Sequence, residues 1–163
     1  MNNIMQHCTF FQSPIGMLKI TAEDDFITKL SLTKENFIPE TKSTCKLLGK
    51  TCEQLTEYFC RKRKFFDLPL KLNGTTFQKQ VWAELLKIPY GETRNYRDIV
   101  IAVKNPKAYR AVGLANNKNP ILILVPCHRV INKDGTFGGF ALGNDIKKKL
   151  LDLEKNTVEK TAD

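Results

Sequence analysis

The sequence lacks the cysteine pattern of a disulfide framework or a common zinc module. Its five cysteines, Cys8, Cys45, Cys52, Cys60 and Cys127, are odd in number and include no C-x-x-C pair. His7 and the four cysteines of the first half show no ligand spacing, so no metal is expected. No apolar run approaches the ~18 residues a membrane helix needs. Met1 to Thr9 carry neither the positive flank nor the apolar core of a secretory signal. A soluble chain in a reducing cytoplasm is therefore expected, with no membrane partner and with most thiols buried. Acidic residues are the scarcer charge, 17 against 26 basic, for a net +9 and a pI near 9.4. That balance excludes an acid-rich tail and points to an anionic partner. It does not choose among nucleic acid, membrane surface and acidic substrate.

What is present is enough apolar residue for a core, 42% of 163 residues, in one domain or two small ones. Short alternating segments over Cys8 to Phe11, Met17 to Ala22 and Phe26 to Leu32, joined by the turn Ser13-Pro14-Ile15-Gly16, predict antiparallel strands. An amphipathic helix is expected over Thr41 to Arg61. Pro69 and Asn73-Gly74 mark a boundary, giving an α/β domain over 1–74 and a mainly helical one over 75–163. Thr75 with Gln78, and Asn95 with Asp98, read as helix starts. A third helix is expected from about Pro106 to Asn116-Asn117, and with its predecessor it reads as a helix-turn-helix. The run Ile121 to Val125 reads as a buried extended segment, followed by a glycine-rich loop over Asn132 to Gly143 and a last helix from about Asn144.

Pro126-Cys127-His128-Arg129 carries the clearest chemistry. A thiol becomes a nucleophile as thiolate, and an imidazole can take its proton if a third group orients the ring. Side chains of neighbours in extended backbone diverge, so a water is the simplest relay between Cys127 and His128. Glu154 and Asp152 are both candidates for the orienting carboxylate. By itself a Cys-His dipeptide is more often a buried thiol beside a core histidine.

The surrounding motifs alter that balance. Gly74-Thr75, Phe77-Gln78, Val81-Trp82, Ile88-Pro89, Gly91-Glu92-Thr93, Tyr96, Pro106-Lys107-Ala108, Arg110-Ala111-Val112-Gly113, Asn119-Pro120 and Pro126-Cys127-His128-Arg129-Val130 stand in order. This pattern resembles the O6-alkylguanine-DNA alkyltransferases, or methylated-DNA-protein-cysteine methyltransferases, strongly over Gly74 to Glu154 and more weakly at Ser13 to Gly16. The resemblance implies a ribonuclease H-like N-terminal half, with a small antiparallel sheet and helix, and a winged helix-turn-helix C-terminal half. It implies repair of double-stranded DNA by flipping out O6-alkylguanine, mainly O6-methylguanine and also O4-methylthymine, and moving the alkyl group irreversibly to Cys127. In such a protein His128 would draw off the thiol proton through water, and Glu154 would fix the ring. Tyr96 would bond the base and crowd the backbone, and Asn119 would tie the recognition helix to the nucleophile segment. Arg110 would fill the gap in the stack, with Lys107, Ala111, Gly113 and Ala115 against a minor groove. Val125, Cys127, Phe140 and Leu142 would line the pocket, with the Val125 and Cys127 carbonyls accepting from the guanine amino group. No cofactor is implied, and a cytoplasmic monomer that clusters on DNA is expected.

Phe140 and Leu142 depart from the family's usual tyrosine and glycine, which predicts tighter limits on bulky alkyl groups. Lys104 and Asn95, where glycine and serine are frequent, keep local jobs. A lesion sensor without transfer and a cysteine hydrolase are the alternatives. Between Asp98 and Asp134 there is no acid, while Lys104, Lys107, Arg110, Lys118, Arg129 and Lys133 supply +6, where a phosphate backbone would lie.

Overall fold

The computed structural model of the protein describes residues 3–35, 45–138 and 140–161, the side chains of 157–161 excepted. The chain divides into two compact units, Met1–Asn73 and Gly74–Asp163.

In the first unit, β1 (Gln6–Ser13), β2 (Gly16–Glu23) and β3 (Phe26–Leu32) form an antiparallel sheet in that order. The β1–β2 turn closes on Ser13, whose Oγ donates to the Gly16 carbonyl at 2.6 Å and accepts from the Ile15 N–H. Gly16 has φ +124°, a conformation that disfavours any Cβ. Leu18, Ile20 and Ala22, at strand period, are buried with Ile27, Leu30 and the helical Leu48, Leu55 and Tyr58. That helix, α1, runs Lys46–Phe59; residues 41–44 of the expected span lie outside the described residues. Buried polar groups complete backbone bonds, as when Gln54 donates to the Asp67 carbonyl and accepts from its N–H.

The second unit starts at α2 (Thr76–Leu85), and the Thr75–Gln78 capping box is formed as its residues predict. Trp82 Nε1 donates to the Ala115 carbonyl at 2.9 Å, pinning α2 to a later helix of the same unit. Asn95 and Asp98 form a second capping box at the start of α3 (Tyr96–Ala102). Just before it, β4 (Arg94–Asn95) pairs in parallel with β5 (Val130–Ile131). The next helix, α4, spans Tyr109–Asn117 and starts later than expected. The Ala108 N–H closes a turn onto the Asn105 carbonyl, which keeps Pro106 and Lys107 ahead of the first helical residue. The last helix is α5 (Asn144–Thr161).

Two expectations fail. Ile121 to Val125 is buried but not extended. Leu124 N–H bonds the Leu122 carbonyl around Ile123 at φ +69°, the rare and strained form of γ-turn, and Val125 N–H returns to the Ile121 carbonyl. The β-branched run satisfies its backbone locally because it turns back rather than joining a ladder. The thiols are also mostly not buried: Cys8 and Cys60 are exposed, Cys45 and Cys52 half-buried, and only Cys127 is enclosed. On α1 the buried stripe passes through Leu48, Thr51, Leu55 and Tyr58, leaving the cysteines at its margins. Among the described residues no helix is long and apolar enough to cross a membrane.

Candidate active site

The nucleophile segment is built by consecutive tight turns. Cys127 N–H bonds the Val125 carbonyl across Pro126, at φ −82° and ψ 62°, and Cys127–Arg129 then form one turn of 3-10 helix. This replaces the expected extended backbone and leaves Cys127 2% exposed, with its thiol against its own and the His128 backbone N–H. Burial pushes the Cys127 thiol up. The Asn119 side chain, the Lys147 ammonium and those N–H groups oppose that push.

His128 is fully buried, and its Nε2 lies 2.7 Å from Glu154 Oε1. A carboxylate only accepts, so Nε2 carries the proton and Nδ1 is left with a lone pair. Nδ1 is buried with no partner among the described residues, which is the geometry of a base awaiting a donor or a water. Burial pulls the imidazole down in spite of Glu154, keeping it neutral. For Glu154, burial alone would raise the carboxyl, but His128 and the Arg129 guanidinium reverse this and hold it at about 2. Asp152, the other candidate, instead pairs with Lys148 at 2.8 Å on the surface.

Arg129 grips Glu154 with Nε and Nη2, each at 2.9 Å, and donates Nη1 to the Ile88 carbonyl at 2.8 Å. Its charge is therefore committed inside the protein and does not join the phosphate-facing excess expected of it. Lys147 is enclosed as well. It is 0% exposed and donates to the carbonyls of Val130 and Phe137, with Nζ 5.3 Å from the centroid of the buried Phe140 ring. Burial brings its ammonium down to about 8, against the opposing influence of Cys127. The signal for it was helical register, since Lys147, Leu150 and Glu154 are the buried positions among the described side chains of α5.

Asn119 holds the segment, its Nδ2 donating to the Val125 carbonyl at 2.7 Å and its Oδ1 accepting from Ile121 N–H at 3.0 Å. The carbonyl of Val125 thus takes two donors, and that of Cys127 takes Val130 N–H and Asn116 Nδ2. A guanine amino group would meet acceptors already engaged. Tyr96 is half-buried, and burial, with Cys127 nearby, pushes its hydroxyl up. Asn116, which the sequence reading missed, lies with Val112 and Ala115 on the buried stripe of α4.

On the other side of α4, Arg110 and Ala111 are exposed, Gly113 is half-buried, and Lys107 is exposed just before the helix. Ala115 is 2% exposed and binds Trp82 through its carbonyl, so it cannot reach DNA; close packing on α2 is the reason for its size. Leu114, 56% exposed and one turn beyond Arg110, occupies the outer face instead. Leu142 is half-buried in the loop that leads to α5.

A thiol, a neutral base and an orienting carboxylate within a helix-turn-helix unit define a class of protein that does nucleophilic chemistry on a DNA-binding scaffold. Residues 76–156 match the family described as the DNA-binding domain of 6-O-methylguanine DNA methyltransferase, and residues 6–72 match its ribonuclease-like domain. The methylated-DNA-protein-cysteine methyltransferase of Methanosarcina barkeri is 45% identical over 151 residues, covering 90% of this chain and 96% of that protein. The constitutive enzyme of that name from Bacillus subtilis is 45% identical over 160 residues, 93% and 96% of the two chains. The crystal structure of Mycobacterium tuberculosis OGT in complex with DNA superposes with a TM-score of 0.84 at 41% identity, over 93% of this chain and 94% of that one. The chain belongs to the methylated-DNA-protein-cysteine methyltransferase family.

Proposed function

We propose that this protein repairs DNA by taking the alkyl group of O6-alkylguanine, chiefly O6-methylguanine and also O4-methylthymine, onto Cys127. It is a methylated-DNA-[protein]-cysteine S-methyltransferase. The observation that carries the reading is the His128 ring, fixed by Glu154 at Nε2 with a buried unpaired lone pair at Nδ1, one residue from an enclosed thiol.

The thiol proton passes through a water to His128 Nδ1, and the imidazolium is stabilised by the Glu154 carboxylate. The sulfur attacks the alkyl carbon, a C–S bond forms as the C–O6 bond breaks, and the electron pair stays on guanine, which takes up a proton. A thioether has no ready route back, so each molecule acts once. The backbone N–H groups and Lys147 near the sulfur favour the thiolate as it forms. Flipping supplies the base to a thiol that is otherwise enclosed; Arg110 and Lys107, exposed at the start of α4, are suited to the vacated stack and the phosphates, with Ala111 and Gly113 allowing close approach. Tyr96 bonds the flipped base beside Cys127, and Asn119 keeps the nucleophile segment in register. Phe140 and Leu142 bound the pocket. The protein works as a cytoplasmic monomer that clusters on DNA, with no cofactor.

Incubation with a duplex containing O6-methylguanine, followed by intact mass, tests this. One added methyl, absent in Cys127→Ser, is expected. Binding without added mass would indicate a sensor, and neither binding nor added mass a hydrolase.

A further inference from the structure

The positive excess of the first unit lies in one short stretch. Met1–Asn73 holds eleven basic and eight acidic residues. Five of those bases and only two of the acids fall between Glu57 and Lys71, so elsewhere the unit is balanced at six of each. The stretch begins where α1 ends. Arg61 N–H returns to the Tyr58 carbonyl and Lys62 N–H to the Glu57 carbonyl, the paired bonds of a Schellman motif. Its left-handed position, usually glycine, is filled by Arg61 at φ +61°. Arg63 folds back, donating Nε to Glu57 Oε2 at 2.7 Å and Nη1 to the Phe65 carbonyl at 3.0 Å, and Asp67 lies 3.7 Å from Lys50. Both acids of the stretch are thereby taken. Arg61, Lys62 and Lys64 remain exposed with no acid against them among the described residues. Phe65 beside them is 74% exposed, the most of any large apolar side chain described.

We propose that this turn, with Arg61, Lys62, Lys64 and Phe65, is a second contact for duplex DNA, carried by the unit that lacks the acceptor cysteine. Five consecutive residues reach at most about 18 Å. Each strand of a duplex sets a phosphate every ~3.4 Å along its axis, so the three cations can meet two or three phosphates together. The phenyl ring packs against deoxyribose between them. An arginine in a left-handed position is strained where glycine would be free, and what the strain provides is a guanidinium projecting from a turn that Arg63 holds in place. One phenyl among cations is too little apolar surface to enter a bilayer, and DNA is the polyanion bound by the domain that residues 76–156 match. This contact rests on the alkyl-transfer reading only in taking DNA as the partner.

The test is the affinity of the full-length protein for an undamaged duplex, read by fluorescence anisotropy between about 50 and 200 mM salt. The triple variant Arg61→Gln, Lys62→Gln, Lys64→Gln should make the slope of log K against log salt shallower by about 2 to 3 and weaken binding at least about tenfold near ~0.1 M salt. The same charge change at other exposed positions of the unit, Lys29→Gln, Lys34→Gln, Lys46→Gln, should leave the slope within about 0.5 of wild type. Arg61→Gly relieves the backbone and removes one cation, so its thermal midpoint should hold or rise while the slope falls by about 1. Phe65→Ser should weaken binding about 2- to 5-fold without altering the slope. A wild-type slope in the first triple variant, or equal changes in both triple variants, would overturn the proposal. Loss of binding to phosphatidylserine vesicles with the DNA slope unchanged would assign the turn to a lipid surface instead. Failure of the wild-type protein to gain a methyl from an O6-methylguanine duplex, with the slope change intact, would overturn the alkyl-transfer reading and leave this contact standing.

Discussion

The two units bury polar groups for opposite purposes. Among the described residues of Met1–Asn73 the buried polar side chains are Ser13, Thr21, Thr28, Thr51 and Gln54, all neutral. Four of them bond backbone, as Thr51 Oγ1 does to the Leu47 carbonyl at 2.8 Å. Among those of Gly74–Asp163 they are Asn116, His128, Arg129, Lys147 and Glu154, four of them ionisable. A neutral side chain that fills a backbone vacancy adds modestly to stability. Enclosed charges oppose folding unless paired, and a fold keeps them where a reaction needs shifted proton affinities. The comparison shows that the interior of the helical unit is the electrostatically expensive one.

Glu154→Ala should break this contrast most severely. It leaves Arg129 buried without its carboxylate, which should destabilise by about 3–5 kcal/mol in a urea melt. It also frees the His128 ring, so methyl transfer measured on folded protein should fall about 10²- to 10⁴-fold. The carboxyl is held at about 2 in the folded protein against an ordinary 4.5. Because the folded value is the depressed one, its contribution is fully present above about pH 4.5 and disappears as pH falls toward 2. Unfolding midpoints across that window should drop steeply in wild type and less in Glu154→Gln.

Gln54→Ala sharpens the contrast from the other side. Losing both bonds to Asp67 should cost about 1–3 kcal/mol, with transfer per folded molecule unchanged. A fall in that rate would show the first unit taking part in the reaction. The smallest effect is expected at Leu142→Gly. Stability should move by about 1 kcal/mol or less, while the ratio of benzyl to methyl transfer rises severalfold. An unchanged ratio would remove Leu142 from the pocket.

Legibility differed by range. Both capping boxes, the three strands and the break between α3 and α4 depend on residues within a few positions, and each formed as its local chemistry requires. The family motifs contain Cys127 and His128, whereas Glu154 lies outside them and was implied only by the resemblance as a whole. Ile121 to Val125 misled because a short apolar run has the same composition whether it extends or coils. Arg129 misled because a basic residue is ordinarily a solvated one, and the burial of Lys147 was not legible either, since the true neighbours lie far away in the chain, Glu154 for Arg129 and Val130 for Lys147.

Taken alone, the sequence determined the order of elements, the helix starts, the nucleophile with its adjacent base, and the net positive charge, all of which follow from neighbouring residues or simple composition. Tertiary structure decided which carboxylate serves His128, that Lys147 is enclosed while its neighbour Lys148 is exposed, that Ala115 packs inward while Leu114 faces out, and that Asn116 is buried and donates to the Cys127 carbonyl. The physical reason is that charge state and hydrogen-bond direction depend on what surrounds a group in space, and burial brings together residues whose separation in sequence carries no signal.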